Sequence, residues 1–332
     1  MASSQENSMP FIRNMASSDR KAREQALASL CTFLSAKHIS SSLSTLDILK
    51  LWKGLFYALW MCDRPLPQQQ LCRDLAELVW ILPEEAVAPW LRGFWATMAR
   101  EWTTGIDVLR MEKFLLLVRR VLGVSLVWAQ SRASEAAKTK KTTTNKKQAG
   151  GSSASRKRRA DGKAVAADEA KTNDEVRWDT DKVEQVLRLL ADWPLRPDEE
   201  SRREPEEDGL MPKMVPVGLK LHAVDIWVDE AEKAGMLEGS EDESDAGGDE
   251  TKNKREMKKK KTEASNDTLS GREVLQRIND LVETLRKETL STAVRIRSKD
   301  SLADDRLPWN RSSGDEADGK DDDDEGWGGL GE

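Results

Sequence analysis

The only histidines of the chain, His38 and His222, stand far apart in the sequence. An imidazole works as a general acid or base when a second reactive group is held within hydrogen-bond reach. His38 follows a helical pattern in a serine-rich stretch, whereas His222 falls inside a later helical pattern. Neither has a cysteine or histidine at the spacing of a zinc ligand set. A phosphate-cradling loop places its glycines between a strand and a helix, but Gly326, Gly328, Gly329 and Gly331 have no such elements around them. Asp321–Asp324 reads as a solvated acidic run, because adjacent carboxylates on a pliable tail lack the fixed oxygen geometry of a calcium or magnesium site. The expectation is a non-enzymatic chain with no cofactor, no metal and no small-molecule substrate.

The chemistry that is plentiful is charge. Charged residues make up 34% of the chain against 38% hydrophobic ones, and the formal net charge of −6 sums opposed blocks. Base gathers at 138–159 and 252–261, acid at 238–250 and 315–325. Block-wise charge of this kind marks interaction tails. Lys140, Lys141, Lys146, Lys147, Arg156, Lys157, Arg158 and Arg159 are candidate contacts for nucleic acid or for the nuclear import machinery, with simple solubilisation as the bland alternative. Phosphate contact by such a segment is sequence-blind and salt-dependent. A possible basic face in the apolar part comprises Lys50, Lys53, Arg110, Lys113, Arg119 and Arg120.

These charges need elements to carry them. The run LWKGLFYALWMCDRP at 51–65 is too short for a bilayer, which takes roughly 20 apolar residues, so no membrane span is expected. The start, MASSQENSMPFIRN, lacks the basic and apolar regions of a secretory signal. Cys31, Cys62 and Cys72 lie in apolar helical patterns without paired spacing and read as reduced residues of an intracellular protein.

From Phe11 to about Gln130 the apolar period is helical. Ala22, Ala26, Leu27, Leu30 and Leu34 form a first stripe, with Ser17, Ser18 and Asp19 as candidate caps. A second stripe, capped by Thr45, holds Leu49, Trp52, Leu55, Phe56, Leu59 and Trp60. The third runs from Leu71 to Leu82, and the fourth from Val87 to Trp102. The fifth takes Ile106, Leu109, Phe114, Leu117, Val118 and Val121. Trp52, Trp60 and Trp95 fall on stripes as core residues, while Trp80 and Trp90 lie off-centre and could belong to a partner surface.

Short connections between such helices favour antiparallel neighbours. The expected fold is therefore all-α, a HEAT-like α-solenoid of stacked antiparallel hairpins with long disordered charged linkers and tail. The expected divisions are a flexible N-terminus at 1–8, a helical core at 9–130 and a basic linker at 131–175. Further helices at 176–235 precede an acidic-then-basic linker at 236–268, an amphipathic helix at 269–297 and an acidic disordered tail at 298–332.

Four blocks resemble the nucleolar ribosomal RNA-processing protein 1 family, also called the nucleolar protein 52 family. They are MPFIRNMASSDRKAREQALASLCTFLS at 9–35, LDILKLWKGLFYALWMCDRPLPQQQL at 46–71, FWATMAREWTTGIDVLRMEKFLLLVRRVL at 94–122 and PVGLKLHAVDIWVDEAEK at 216–233. The resemblance implies a helical, non-enzymatic nucleolar assembly factor that acts in pre-rRNA processing. Its implied partners are pre-ribosomal particle proteins and pre-rRNA. It supplies no catalytic residue. The residues alone leave a second reading open: a nuclear protein–protein adaptor, in import or chromatin, without an RNA role.

Overall fold

The computed structural model describes residues 11–15, 17, 19–36, 40–131, 176–197, 210–237 and 268–311. His38, the basic block at 138–159 and the acidic run at 315–325 lie outside the described residues. The described chain is helical, with α1 (Phe11–Met15), α2 (Arg20–Ser35), α3 (Thr45–Trp60), α4 (Pro65–Glu77) and α5 (Glu84–Thr104) opening it. Then come α6 (Met111–Trp128), α7 (Thr180–Asp192), α8 (Val217–Lys233), α9 (Gly271–Glu288) and α10 (Thr292–Leu302). Two short strands, β1 (Trp178–Asp179) and β2 (Thr268–Leu269), pair antiparallel with Trp178 opposite Leu269. No described helix is long and apolar enough to cross a membrane.

Local chemistry sets most helix ends. Asp19 accepts from the Lys21 N–H at 3.0 Å, so of the three candidates Ser17, Ser18 and Asp19 it is the one that caps α2. Ser44, not Thr45, caps α3: its hydroxyl accepts from the Asp47 N–H at 3.2 Å and Thr45 is already helical. Pro83 precedes α5, and Glu84 and Glu85 meet the positive end of its dipole. Ser270 and Glu273 make a reciprocal capping box at α9. At the end of α8, Gly235 takes φ 76°, and Met236 N–H donates to the Ala231 carbonyl at 3.0 Å. That left-handed stop suits glycine, which has no Cβ to clash.

The helices stack in two layers. Along one layer α1 packs on α3, α3 on α5, α5 on α7 and α7 on α9. Along the other α4 packs on α6, α6 on α8 and α8 on α10. Helices α1 and α2, α3 and α4, and α9 and α10 pack as hairpins, while α6 meets α7 and α5 meets α8 across the layers, in keeping with the expected all-α stack. The stack continues past the long segment 132–175. Lys182 Nζ at the start of α7 lies 3.7 Å from Glu84 Oε2 at the start of α5, and Gln130 donates to the Ala234 carbonyl at 2.7 Å.

One continuous core runs through the stack. Trp52, Leu55, Phe56, Trp90, Phe94, Trp95 and Phe114 are all at most 1% exposed. The Trp52 ring lies 4.9 Å from that of Trp90 and 5.0 Å from that of Phe94. The Trp52 indole N–H donates to the Trp90 carbonyl at 2.9 Å, so α3 and α5 are pinned by rings and by a buried hydrogen bond. Gly93 allows this approach, since a Cβ there would stand 2.4 Å from Ile48 Cγ2.

Three sequence expectations are corrected. Trp90 is buried at the α3–α5 contact and is no part of a partner surface. Leu109 does not belong to the fifth stripe: Asp107 caps a 3-10 turn at Val108–Arg110, α6 begins at Met111, and Leu109 is 92% exposed. The ordered chain also runs beyond 298, because α10 reaches Leu302, and Ser298 and Leu307 are fully buried.

Candidate interaction surface

Three of the six cations of the possible basic face are committed to partners within the fold. Lys113 is only 4% exposed and spans from α6 to the end of α3, where its ammonium donates to the carbonyls of Trp60 at 2.7 Å and Cys62 at 3.0 Å. These are carbonyls that a helix end leaves without intrahelical donors, and a cation there also meets the negative end of the dipole. Burial pushes the Lys113 pKa down, against the opposing pull of Asp63 at 3.6 Å. Arg119 is drawn into the acids of α8, pairing with Asp229 and lying 3.4 Å from Glu230. Arg110 lies 4.7 Å above the Trp60 ring and pairs with Asp107. Lys53 and Arg120 are exposed, and Lys50 is half-buried. The cations Lys140, Lys141, Lys146, Lys147 and Arg156–Arg159 lie outside the described residues.

His222 is structural in its contacts. Its Nε2 lies 2.9 Å from the Leu115 carbonyl, which only accepts, so that nitrogen carries the proton in this arrangement. Burial holds its pKa below 6.5, partly offset by that bond. Cys72 is buried, and desolvation pushes its thiol up to about 12. Burial also raises Cys31 and Cys62, so none of the three has the depressed pKa of a reactive thiol. Among the described residues, no group of three histidine, cysteine or acidic side chains could hold a metal ion.

What the stack does bring together is apolar surface at its turns. The α3–α4, α5–α6 and α9–α10 turns and the start of α8 share one edge. Lys113 ties the first of these turns to the second, and Gly218 at the start of α8 meets Trp102 at the end of α5. The run of α10 alongside α8 places the last turn on the same side, with Arg297 facing Asp225 and Arg306 facing Asp229. Met61, Leu66, Val108, Leu109, Met214 and Leu290 all lie at these turns and are 36–92% exposed. Large apolar residues beside turns are a signal present in the sequence, but it takes the fold to put them on one edge.

Next to this edge the even layer opens. A groove of about 830 Å³ separates α2 from α4. Leu27, Ala58, Met61 and Leu66 contribute its apolar lining, and Arg20, Arg23, Arg64 and Arg73 its cations. Sequence reasoning missed it, because its walls come from separate helices and none of its residues is unusual alone.

Residues 6–157 match the family model described as Nucleolar protein, Nop52. The mouse ribosomal RNA processing protein 1 homolog A is 29% identical over 237 residues, covering 70% of this chain and 36% of the relative. The human homolog A is 40% identical over 119 residues, covering 35% of this chain and 26% of the relative. A Drosophila melanogaster homolog is 35% identical over 115 residues, covering 34% of this chain and 17% of the relative. The chain thus spans little more than a third, or less, of these relatives. The matched region holds α1 to α6, including the pinned α3–α5 contact and the groove, and it is over this region that the chain is similar to the Nop52, or ribosomal RNA-processing protein 1, family.

Proposed function

We propose that this chain is a non-enzymatic ribosome-biogenesis factor of the nucleolus, acting in pre-rRNA processing as a helical scaffold within pre-ribosomal particles. The observation that carries this reading is the family match over residues 6–157, whose relatives are named for ribosomal RNA processing. The architecture supports it physically. A two-layer stack displays long edges for its mass, which suits the holding of several partners. Its work is then positional: exposed apolar turns and the α2–α4 groove meet proteins, while the basic block at 138–159 meets pre-rRNA and, before that, the import machinery.

The test is tagged purification of the full chain with sequencing of the bound RNA and identification of the bound proteins. Pre-rRNA and assembly factors should co-purify and co-migrate with large precursor particles on a sucrose gradient. Recovery without either would overturn the reading. Raising the salt should strip contacts made by the basic block first, because they depend on counterion release.

A further inference from the structure

We infer that the groove between α2 and α4 is a seat for an amphipathic helix of another protein, apolar along one stripe and acidic at its margins. This goes beyond the pre-rRNA reading and holds whichever process the partner serves. The first observation is a break in a regular layer. From α4 onward each even helix packs on the next, whereas between α2 and α4 there is an open space of about 830 Å³. Its lining includes Leu27, Ala58, Met61 and Leu66, the last 78% exposed. A channel flanked by two helices, with an apolar floor, fits side chains at i, i+3, i+4 and i+7 of a third, roughly two turns of it.

Charge selects the occupant. The acids in the groove already have partners: Glu24 pairs with Arg20 at 2.6 Å, Asp63 lies 3.6 Å from Lys113, and Asp74 accepts from Gln70 at 2.7 Å. Arg64 and Arg73 stand exposed along the walls. Carboxylates at the margins of an incoming helix would meet these arginines. A nucleic acid fits less well, because its sugar-phosphate backbone offers no large apolar side chain to the floor lined by Leu27, Ala58, Met61 and Leu66. The chain's own acidic segment DEADGKDDDDE at 315–325 carries no large apolar residue to fill that floor.

The experiment places the photo-crosslinker p-benzoylphenylalanine at Leu66 of the full chain in cells and sequences the cross-linked peptides. The same group at Ile296, exposed on α10, is the control. The expected adduct is one recurrent segment of another protein, with apolar residues at helical spacing and flanking Asp or Glu, absent from the Ile296 control. The double variant Arg64→Glu, Arg73→Glu should lower its yield at least about fivefold through like-charge contact, with an unchanged melting temperature. Adducts to RNA, to residues 312–332, to a second copy, or to segments without helical spacing would overturn the inference. So would an unaltered yield in the double variant, or no adduct above the control.

Discussion

The two ends of the stack are held together by different physics. Around α3, α5 and α6 the contacts are rings: Trp52 on Trp90 and Phe94, and Phe56 stacked 4.7 Å from Phe114. Around α8 and α10 they are polar: Trp227 donates to Ser301 at 2.6 Å, Arg306 reaches Asp229 at 3.0 Å and Glu232 at 2.8 Å, and Arg297 reaches Asp225 at 3.2 Å. Within α10 only Val294 and Ser298 are buried. Buried aromatic area is worth several kcal/mol per ring, whereas exposed ion pairs contribute about 0–1 kcal/mol each. Hence the first end should be the rigid, cooperative part, and the second a clasp that opens locally.

The comparison is broken most directly at its strong end. Trp90→Ala removes a ring from the α3–α5 contact and should destabilise the whole fold by about 3–5 kcal/mol in a urea titration. A loss under about 1 kcal/mol would mean that the rings do not carry that end. Lys113→Ala takes the donor from the carbonyls of Trp60 and Cys62 and should cost about 1–3 kcal/mol by the same measurement. At the weak end, Arg306→Ala should cost no more than about 1 kcal/mol. Hydrogen exchange should nevertheless show α10 losing protection while α3 and α5 keep theirs.

A smaller effect follows from His222. Its folded pKa lies below 6.5 through burial, so the unfolded chain takes up the proton first. The stability this site contributes is present above pH 6.5 and is lost as the pH falls through the lower folded value. In His222→Gln, an amide can still donate to the Leu115 carbonyl, and the melting temperature should fall less between pH 7 and pH 5 than in the parent. The smallest effect is expected at the exposed edge. Leu109→Asp should change stability by under about 0.5 kcal/mol in thermal melts, while reducing any partner contact made by the turns.

Where one helix face meets one neighbour, the sequence was a sound guide. Ala26, Leu30 and Leu34 on α2 are buried as their spacing predicts, and Val183, Val186 and Leu190, which share one face of α7, are buried too. The misreadings have separate physical causes. Trp90 lay off the stripe because α5 packs against α3, α7 and α8 at once, which widens the buried face beyond one stripe. Leu109 fitted the period only by counting across a turn that Asp107 caps. Lys113 looked like surface because its apolar stem and its two carbonyl partners come from the fold, not from its neighbours in sequence. Helix α10 escaped notice because it is barely amphipathic, exposing Ile296 and burying Ser298. The groove was illegible for a related reason: a gap between helices has no sequence pattern of its own.

The strand pair has a consequence for the charged segments. Gln130 bridges to Trp178, Ser131 N–H donates to the Arg177 carbonyl at 2.9 Å, and Trp178 pairs with Leu269. Leu237 and Thr268 belong to the same side of the stack, where α8 ends and α9 begins. The chain therefore departs and returns twice at a single knot, once for 132–175 and once for 238–267. The ends of both segments are thereby fixed close together, so the base of one and the mixed charge of the other are leashed to a common anchorage.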